Sequence, residues 1–195
     1  MLGDITDKFE SILKIIDLNA DLWKYASPGH VNDMDMLQVG RGMTYEEDKT
    51  HFSMWCMMAS PLLAGNDLTT MSAETISILT NKEMIDINQD LLVYQARRLK
   101  DYGDEEVWAK PLQSTMSGKL AVALLNRSDT KQHIQFNIDS VGLDAKKGFS
   151  IRNIWSKEII KKQFTAEQNF EVPPHGIIVL KIEGTSAPFN VFQKQ

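Results

Sequence analysis

The sequence has 195 residues, a formal net charge of −5, and 43% hydrophobic and 24% charged residues, which is ordinary for a globular protein. The negative charge argues against a nucleic-acid partner, and no run of about 18 apolar residues suggests a membrane span. Cys56 is the one cysteine of the sequence, which excludes an intrachain disulfide. Its apolar helical surroundings predict a buried, unreactive thiol.

Charge is unevenly distributed along the chain. Residues 1–92 carry 6 Lys and Arg against 15 Asp and Glu, a net charge of −9, whereas residues 93–195 carry 15 against 11, a net charge of +4. A shift of this size together with a change of pattern predicts a domain boundary near residue 92. We therefore expect two domains, residues 1–92 and 93–195.

The first part of the chain predicts a long helix followed by irregular structure. Apolar residues at helical spacing predict a helix over about residues 7–25, with Thr6 or Asp7 as its N-cap and a capping box between Asp7 and Glu10. Pro28 and Gly29 end this pattern. We expect a short strand over 30–33 and a loop over 34–43.

The next part predicts three helices. Thr44 and Glu47 form a capping-box pattern that predicts a helix to about Ser60, with Trp55 among its inward residues. A brief buried strand is expected over 62–64, and Ser72 and Asn81 predict N-caps for helices over 73–80 and 82–88. Short strands that alternate with helices are typical of a parallel α/β fold.

From residue 93 onward the pattern changes to short strands without helices between them. Turn signals lie at 101–104, 117–118 and 173–176. Six strands are predicted, over residues 93–100, 105–111, 119–126, 132–138, 149–155 and 177–182. This arrangement predicts an antiparallel β-sandwich.

Five segments of the first half follow one family's pattern in order and spacing. They are Gly3-Asp4-Ile5, GHVNDMDML over residues 29–37, Thr50-His51-Phe52 with Trp55, ASPLLAGNDL over 59–68, and INQD over 87–90. On these segments the sequence resembles glycoside hydrolase family 27, the family of the retaining α-galactosidases and α-N-acetylgalactosaminidases. Beyond residue 90 the resemblance lies in the layout of a terminal β domain.

The resemblance implies a fold and three site residues. The fold is α/β plus all-β, the C-terminal part of a (β/α)8 (TIM) barrel followed by an antiparallel β-sandwich. Asp4 matches the family's general acid/base, and Asp35 and Met36 match positions that line the sugar pocket. Without the resemblance, the position of Asp4 favours a helix-dipole or capping carboxylate, and Asn32 and Asp33 fit residues that fix the loop backbone.

The resemblance also implies a substrate and an incomplete site. The substrate is a terminal α-linked galactoside, although family members also act on N-acetylgalactosamine or β-L-arabinopyranose. Val31 replaces the family's usual tryptophan and Met34 its usual proline, both at positions expected to border the pocket. No segment matches the family's nucleophile, and a complete barrel needs about 250 residues. We therefore expect no hydrolase activity from the chain alone, and self-association into a homo-oligomer through uncovered apolar surface.

Two other functions fit parts of the sequence. The first is a carbohydrate-binding or purely structural module over 93–195, with Trp108, Trp155 and Tyr102 as an aromatic platform for sugar rings. The second is a metal-dependent enzyme based on Asp33 and Asp35. The calcium-loop pattern is broken after these residues, and the four histidines are scattered, so we predict neither a metal nor a cofactor. The sequence does not indicate a cellular compartment.

Overall fold

A computed structural model describes residues 4–188 and 191–192 of the chain; Gly3, the first residue of the family pattern, lies outside them. Helices occupy the first half of the described chain and strands the second half. The helices are α1 Phe9–Asn19, α2 Tyr45–Met57, α3 Ala73–Leu79 and α4 Lys82–Asn88. The strands are β1 Arg97–Asp101, β2 Glu105–Pro111, β3 Lys119–Asn126, β4 Gln132–Asn137, β5 Phe149–Asn153, β6 Ile159–Gln163, β7 Glu167–Val172 and β8 Ile177–Gly184.

The N-caps predicted for α2, α3 and α4 are confirmed. The Thr44 side chain accepts from the Glu47 backbone N–H, and the Glu47 carboxylate accepts from the Thr44 N–H at 2.8 Å, so both halves of the capping box are present. The side chains of Ser72 and Asn81 accept from the third residue beyond them. Each bond satisfies a backbone donor that has no partner inside its helix.

The first helix differs from its prediction. It begins after Lys8, which has no side-chain cap, and from Ala20 to Tyr25 it continues as a 3₁₀ helix. The predicted capping box between Asp7 and Glu10 is wrong. The Asp7 carboxylate points instead toward Gly42, where an added Cβ atom would lie 2.6 Å from its Oδ2.

The two short strands expected in the helical half are also wrong. Residues 30–33 make only an isolated antiparallel bridge between Ser27 and His30, and residues 62–64 only a parallel bridge between Leu37 and Ala64. Leu63 is 59% exposed, so this segment is not buried either. A single parallel bridge is too small to hold two regular strands, because sheets of this kind need several neighbours.

The strands form two antiparallel sheets. A six-stranded sheet has the order β1-β2-β3-β8-β5-β6, and β4 pairs with β7 in a two-stranded sheet. The predicted bounds of β2 and β3 agree with the structure to the residue. The predictions missed β6 and β7, since their exposed Lys, Gln and Glu side chains hide the alternation that marks a half-buried strand.

The six-stranded sheet is covered on both faces, which creates two hydrophobic cores. On β3, Leu120, Val122 and Leu124 pack with β4 and β7 in what we name the sandwich core. Ala121, Ala123 and Leu125 point the other way and pack with the helices in the shared core. Successive strand residues face opposite sides, so a continuous apolar run from 120 to 125 serves both cores.

Buried polar contacts also link the helices to the sandwich. Lys110 of β2 is fully buried, and its Nζ donates to the Ile87 carbonyl near the end of α4 at 3.0 Å. Glu106 of β2 is also fully buried and accepts from Arg98 and Arg127, and both arginines also bind Asp17 of α1. The two arginines compensate the buried charge of Glu106, and the Ile87 carbonyl gives the buried Lys110 ammonium a hydrogen-bond acceptor.

Candidate active site

The candidate site is the loop that follows the Pro-Gly turn, centred on Asp35. This residue has a left-handed backbone with φ 77°, which is unusual for a residue other than glycine. Its N–H donates to Asp33 Oδ1 at 2.9 Å, and its own Oδ1 accepts from the Met36 N–H at 2.7 Å. The local bonds fold residues 33–36 into a tight turn with the Asp35 side chain half-buried.

Asp4 lies directly beside this loop although it is 31 positions away in the sequence. The N–H of Ile5, the next residue, donates to Asp35 Oδ2 at 2.9 Å. Ile5 is buried, whereas the Asp4 side chain is exposed. The structure therefore brings the backbone that directly follows Asp4 into contact with a carboxylate whose orientation is fixed by two backbone donors.

Met36 completes the arrangement with an apolar side chain that is 41% exposed. It lies against Gly65, where an added Cβ atom would come within 2.7 Å of the Met36 sulfur and 2.6 Å of the Leu37 carbonyl oxygen. A side chain at position 65 would displace Met36. The glycine in the 59–68 segment thus allows the two segments of the parallel bridge to meet closely.

Helix α2 supports the loop from beneath. The Trp55 indole N–H donates to the Asp35 carbonyl oxygen at 2.8 Å, and His51 Nε2 accepts from the Gln38 N–H at 2.9 Å. Burial lowers the pKa of His51 to about 3, so the ring stays neutral and keeps its acceptor. Trp55 is buried, as the helical pattern predicts for an inward residue, whereas the scattered histidines predicted no role for His51 in the site. Their spacing of four was the one sequence signal of a joint role.

The other residues of the motif have structural roles. Asn32 donates through its amide to Leu22 O and Gln95 Oε1, which ties the turn to the 3₁₀ helix. Met34 is buried in the shared core, so the expectation that it borders the pocket is wrong. Val31 is exposed and lines a concavity of about 430 Å³ together with Pro61 and other residues that lie around the start of the 59–68 segment.

The aromatic platform expected on the sandwich is not present. Trp108 is fully buried, and its indole N–H donates to Glu106 Oε2 at 2.7 Å. The Trp155 indole donates to Ser53 Oγ of α2 at 3.0 Å and is partly buried there. Of the three, Tyr102 alone is largely exposed. Trp108 and Trp155 therefore contact the helices and do not form an exposed platform.

Two features are absent from residues 4–188 and 191–192. No group of three or more His, Cys, Asp or Glu side chains there is arranged to hold a metal ion. No helix in that part of the chain has the length and apolar character needed to cross a membrane. Cys56 is buried, and burial raises the pKa of its thiol.

Two family models match the sequence. One, described as alpha galactosidase A, matches residues 1–90, and the other, described as alpha galactosidase C-terminal beta sandwich domain, matches residues 102–182. Together they cover most of the chain and follow each other in the order that the family pattern predicts.

Individual relatives agree with the family models. The chain is 46% identical over 181 residues to alpha-galactosidase A of Cellvibrio japonicus, covering 88% of this chain and 44% of that protein. It is 35% identical to alpha-N-acetylgalactosaminidase of Gallus gallus, covering 90% and 45%. The crystal structure of alpha-galactosidase I from Mortierella vinacea superposes with a TM-score of 0.87 at 28% identity, covering 95% of this chain and 53% of that one.

These comparisons confirm the fold class. The chain spans about half the length of the relatives it matches. Its helical half is the C-terminal part of a (β/α)8 barrel, and an antiparallel β-sandwich follows it. A parallel bridge between Leu37 and Ala64 joins two segments of this half.

Proposed function

Because the chain belongs to glycoside hydrolase family 27, as the C-terminal portion of an α-galactosidase-like protein, we propose that it carries the general acid/base and part of the sugar pocket of a retaining glycosidase. The proposed substrate is a terminal α-linked galactoside. The observation that supports this most directly is the hydrogen bond from the Ile5 N–H to Asp35, because it joins the two segments whose carboxylates match the family's site.

In this proposal Asp4 transfers protons at the glycosidic oxygen. Retaining hydrolysis uses two carboxyl groups about 5–5.5 Å apart: one attacks the anomeric carbon, and the other protonates the leaving oxygen and later activates water. Asp4 is exposed and takes the second role. No segment of this sequence matches the family's nucleophile, so in a complete barrel a preceding strand supplies it.

Asp35 and Met36 bind the sugar in this proposal. Each Asp35 carboxylate oxygen accepts one backbone N–H and retains a lone pair for a sugar hydroxyl. Met36 offers an exposed apolar surface beside it. In this proposal, adjacent residues of one turn thus supply hydrogen bonds to the sugar hydroxyls and an apolar surface for the sugar ring.

We also propose a domain boundary, and we propose that the chain alone self-associates and lacks activity. We place the boundary at residue 92, between a partial barrel over 1–92 and the sandwich over 93–195. Leu63, Leu68 and Leu91 are all more than half exposed in the helical half. We expect these side chains to drive self-association, which light scattering would detect, and we expect the chain alone to leave α-galactosides intact.

The test uses a chimera in which this chain replaces the matching portion of the Cellvibrio japonicus α-galactosidase A. Turnover of an aryl α-galactoside is measured with and without Asp4→Ala, and Asp21→Ala, another exposed carboxylate, is the control. Loss of the acid/base should lower kcat/KM, which reports the step that expels the leaving group, by two orders of magnitude or more for a poor leaving group, and by far less for an activated one that needs no proton. An active chimera in which Asp4→Ala matches Asp21→Ala for both leaving groups would refute the assignment.

A binding or structural module without catalysis is the alternative. It loses support because Trp108 is buried and the Trp155 indole is hydrogen-bonded to α2. Binding of oligosaccharides by residues 93–195, measured by calorimetry, would revive it.

A further inference from the structure

We propose that His51 and Trp55 of α2 are positioning residues that clamp the sugar-binding turn from both sides of Met36. The inference rests on the proposed function for its consequence in catalysis, but the clamp itself is a property of this chain. Neither residue touches the exposed surface of the turn, and both act through backbone groups of the loop.

The clamp consists of two hydrogen bonds from one helix face. His51 and Trp55 are four residues apart, so their side chains lie one above the other on α2. Trp55 donates to the Asp35 carbonyl oxygen at 2.8 Å, and His51 accepts from the Gln38 N–H at 2.9 Å. One bond lies before Met36 and the other after it. The Asp35–Gln38 segment is thus held at both ends.

Bonds within the turn fix its shape, and bonds to other segments fix its place. The Met34 N–H donates to Ser60 Oγ at 3.0 Å and the Leu37 N–H to the Leu63 carbonyl oxygen at 2.8 Å, and the two bonds to α2 add to these on either side of Met36.

Asp35 adopts a left-handed backbone that L-residues rarely occupy, and its bonds to Asp33 and Met36 are contained within the turn. The Trp55 bond attaches the turn to a helix in the shared core. The Asp35 side chain in turn accepts from the Ile5 N–H, so the same helix also orients the backbone next to Asp4.

The two clamp residues are themselves immobilised. Both are fully buried, and their rings meet edge to face with centroids 4.0 Å apart. Because burial keeps His51 neutral at any pH above about 3, its Nε2 continues to accept from Gln38 across the working range of a glycosidase. The clamp is therefore a fixed support and does not respond to pH.

The chain offers a matched control. The Trp155 indole N–H donates to Ser53 of α2 at 3.0 Å, and among the described residues Trp155 makes no hydrogen bond to residues 33–36. Trp55→Phe removes the indole hydrogen bond that runs from α2 to the turn, and Trp155→Phe removes the indole hydrogen bond that Trp155 donates to α2. The two substitutions remove the same side-chain volume. His51→Gln keeps an acceptor near the position of Nε2, whereas His51→Leu removes it.

The first readout is kinetic, in the chimera described above. Trp55→Phe and His51→Leu should each raise KM and lower kcat/KM about tenfold, with the pH profile unchanged, because one positioning bond is lost. Trp155→Phe should stay within about twofold of the parent, and His51→Gln should recover most of the loss. Equal kinetics for Trp55→Phe and Trp155→Phe would overturn the clamp.

The second readout uses this chain alone and needs no activity. Amide hydrogen exchange of Met36 and Gln38 should become about tenfold faster in Trp55→Phe and His51→Leu, while the amides of β4 are unchanged. If Trp55→Phe fails to fold, the two His51 variants decide the matter. An inactive chimera with these exchange results refutes the proposed function but supports the clamp; unchanged exchange overturns the clamp.

Discussion

The two halves of the molecule are stabilised in different ways. The sandwich core consists entirely of residues that follow residue 92, among them Phe136 of β4 and Leu180 of β8. The shared core combines helix residues such as Phe52 with side chains of the six-stranded sheet, including Trp108. The sandwich therefore has a core of its own, whereas the helices depend on one face of the sandwich for theirs.

A domain can be defined by a change in chain composition or by a hydrophobic core of its own, and in this molecule the two definitions give different answers. The charge shift near residue 92 marks a change in chain composition, but the hydrophobic contacts continue across it. The small residues Ala121 and Ala123 on β3 allow α2 to approach the sheet closely. A region with a core of its own can stay folded when its neighbour loosens, and a region that shares its core cannot.

The largest expected effect comes from removing one aromatic side chain from each core. Phe136 and Phe52 are both buried, and truncation to alanine should lower the free energy of unfolding by about 3–5 kcal/mol in each case. Phe136→Ala should destabilise both halves together. Phe52→Ala should mainly lower the exchange protection of α1 and α2 and leave β4 and β7 protected.

Urea denaturation gives the two free energies, and hydrogen exchange read by mass spectrometry separates the regions. Equal loss of protection in β4 and β7 for both variants would mean that the molecule unfolds as one cooperative unit. The asymmetry between the halves would then be one of contacts only, with no energetic counterpart.

A smaller effect should follow from breaking the charged link between the halves. Arg127 binds both Glu106 and Asp17, and its replacement in Arg127→Met leaves the buried Glu106 with Arg98 as its charged partner. We expect a loss of about 2–3 kcal/mol of unfolding free energy in urea. Lys131, in an exposed pair with Glu171 at 2.8 Å, is the control.

Lys131→Met should change stability by less than about 0.5 kcal/mol, since exposed pairs contribute little. If Arg127→Met and Lys131→Met lower the free energy of unfolding equally, the ion pair with the buried Glu106 contributes no more stability than an exposed pair. The junction would then be held mainly by apolar contacts.

The smallest expected effect is a pH dependence at Lys110. Burial lowers its pKa from 10.5 to about 8, so between these values the unfolded chain binds more protons than the folded one. Stability should therefore rise with pH in this window, by about 2 kcal/mol from pH 7.5 to 9.5 at ~1.4 kcal/mol per pKa unit. Lys110→Met removes the titrating group, so this rise should be missing when its urea midpoints are compared at the two pH values.

If the wild-type chain and Lys110→Met differ equally at both pH values, the lysine titrates as in water. Its contact with the Ile87 carbonyl would then be a minor link between β2 and α4.

The sequence predicted those elements whose signals are local. The Thr44 and Glu47 box, the Ser72 and Asn81 caps and the apolar run of β3 each depend on residues within one element. The family pattern assigned Asp4 and Asp35 to one sugar site, which stays a prediction; the structure shows that the residue after Asp4, Ile5, contacts the Asp35 carboxylate. These features follow from short-range chemistry or from motif order.

What the sequence could not predict depends on distant contacts. Residues 62–64 have strand-like composition, but Ala64 finds only Leu37 as a bridging partner. Trp108 and Trp155 fit an exposed platform until the helices that cover them are known. Likewise, the link from Trp55 to Asp35 joins a helix to a backbone carbonyl, a contact that no pattern of side chains records.

The order of strands in the six-stranded sheet has a consequence for biosynthesis. β8 lies at the centre of that sheet, and α2 packs against both β3 and β8. Among the described strands, β8 leaves the ribosome last, on the order of ten seconds after α2 at ordinary translation speeds. Until β8 emerges, the sheet lacks one of the two strands that pack against α2, so the apolar face of α2 is incompletely covered and nascent-chain chaperones have time to bind it.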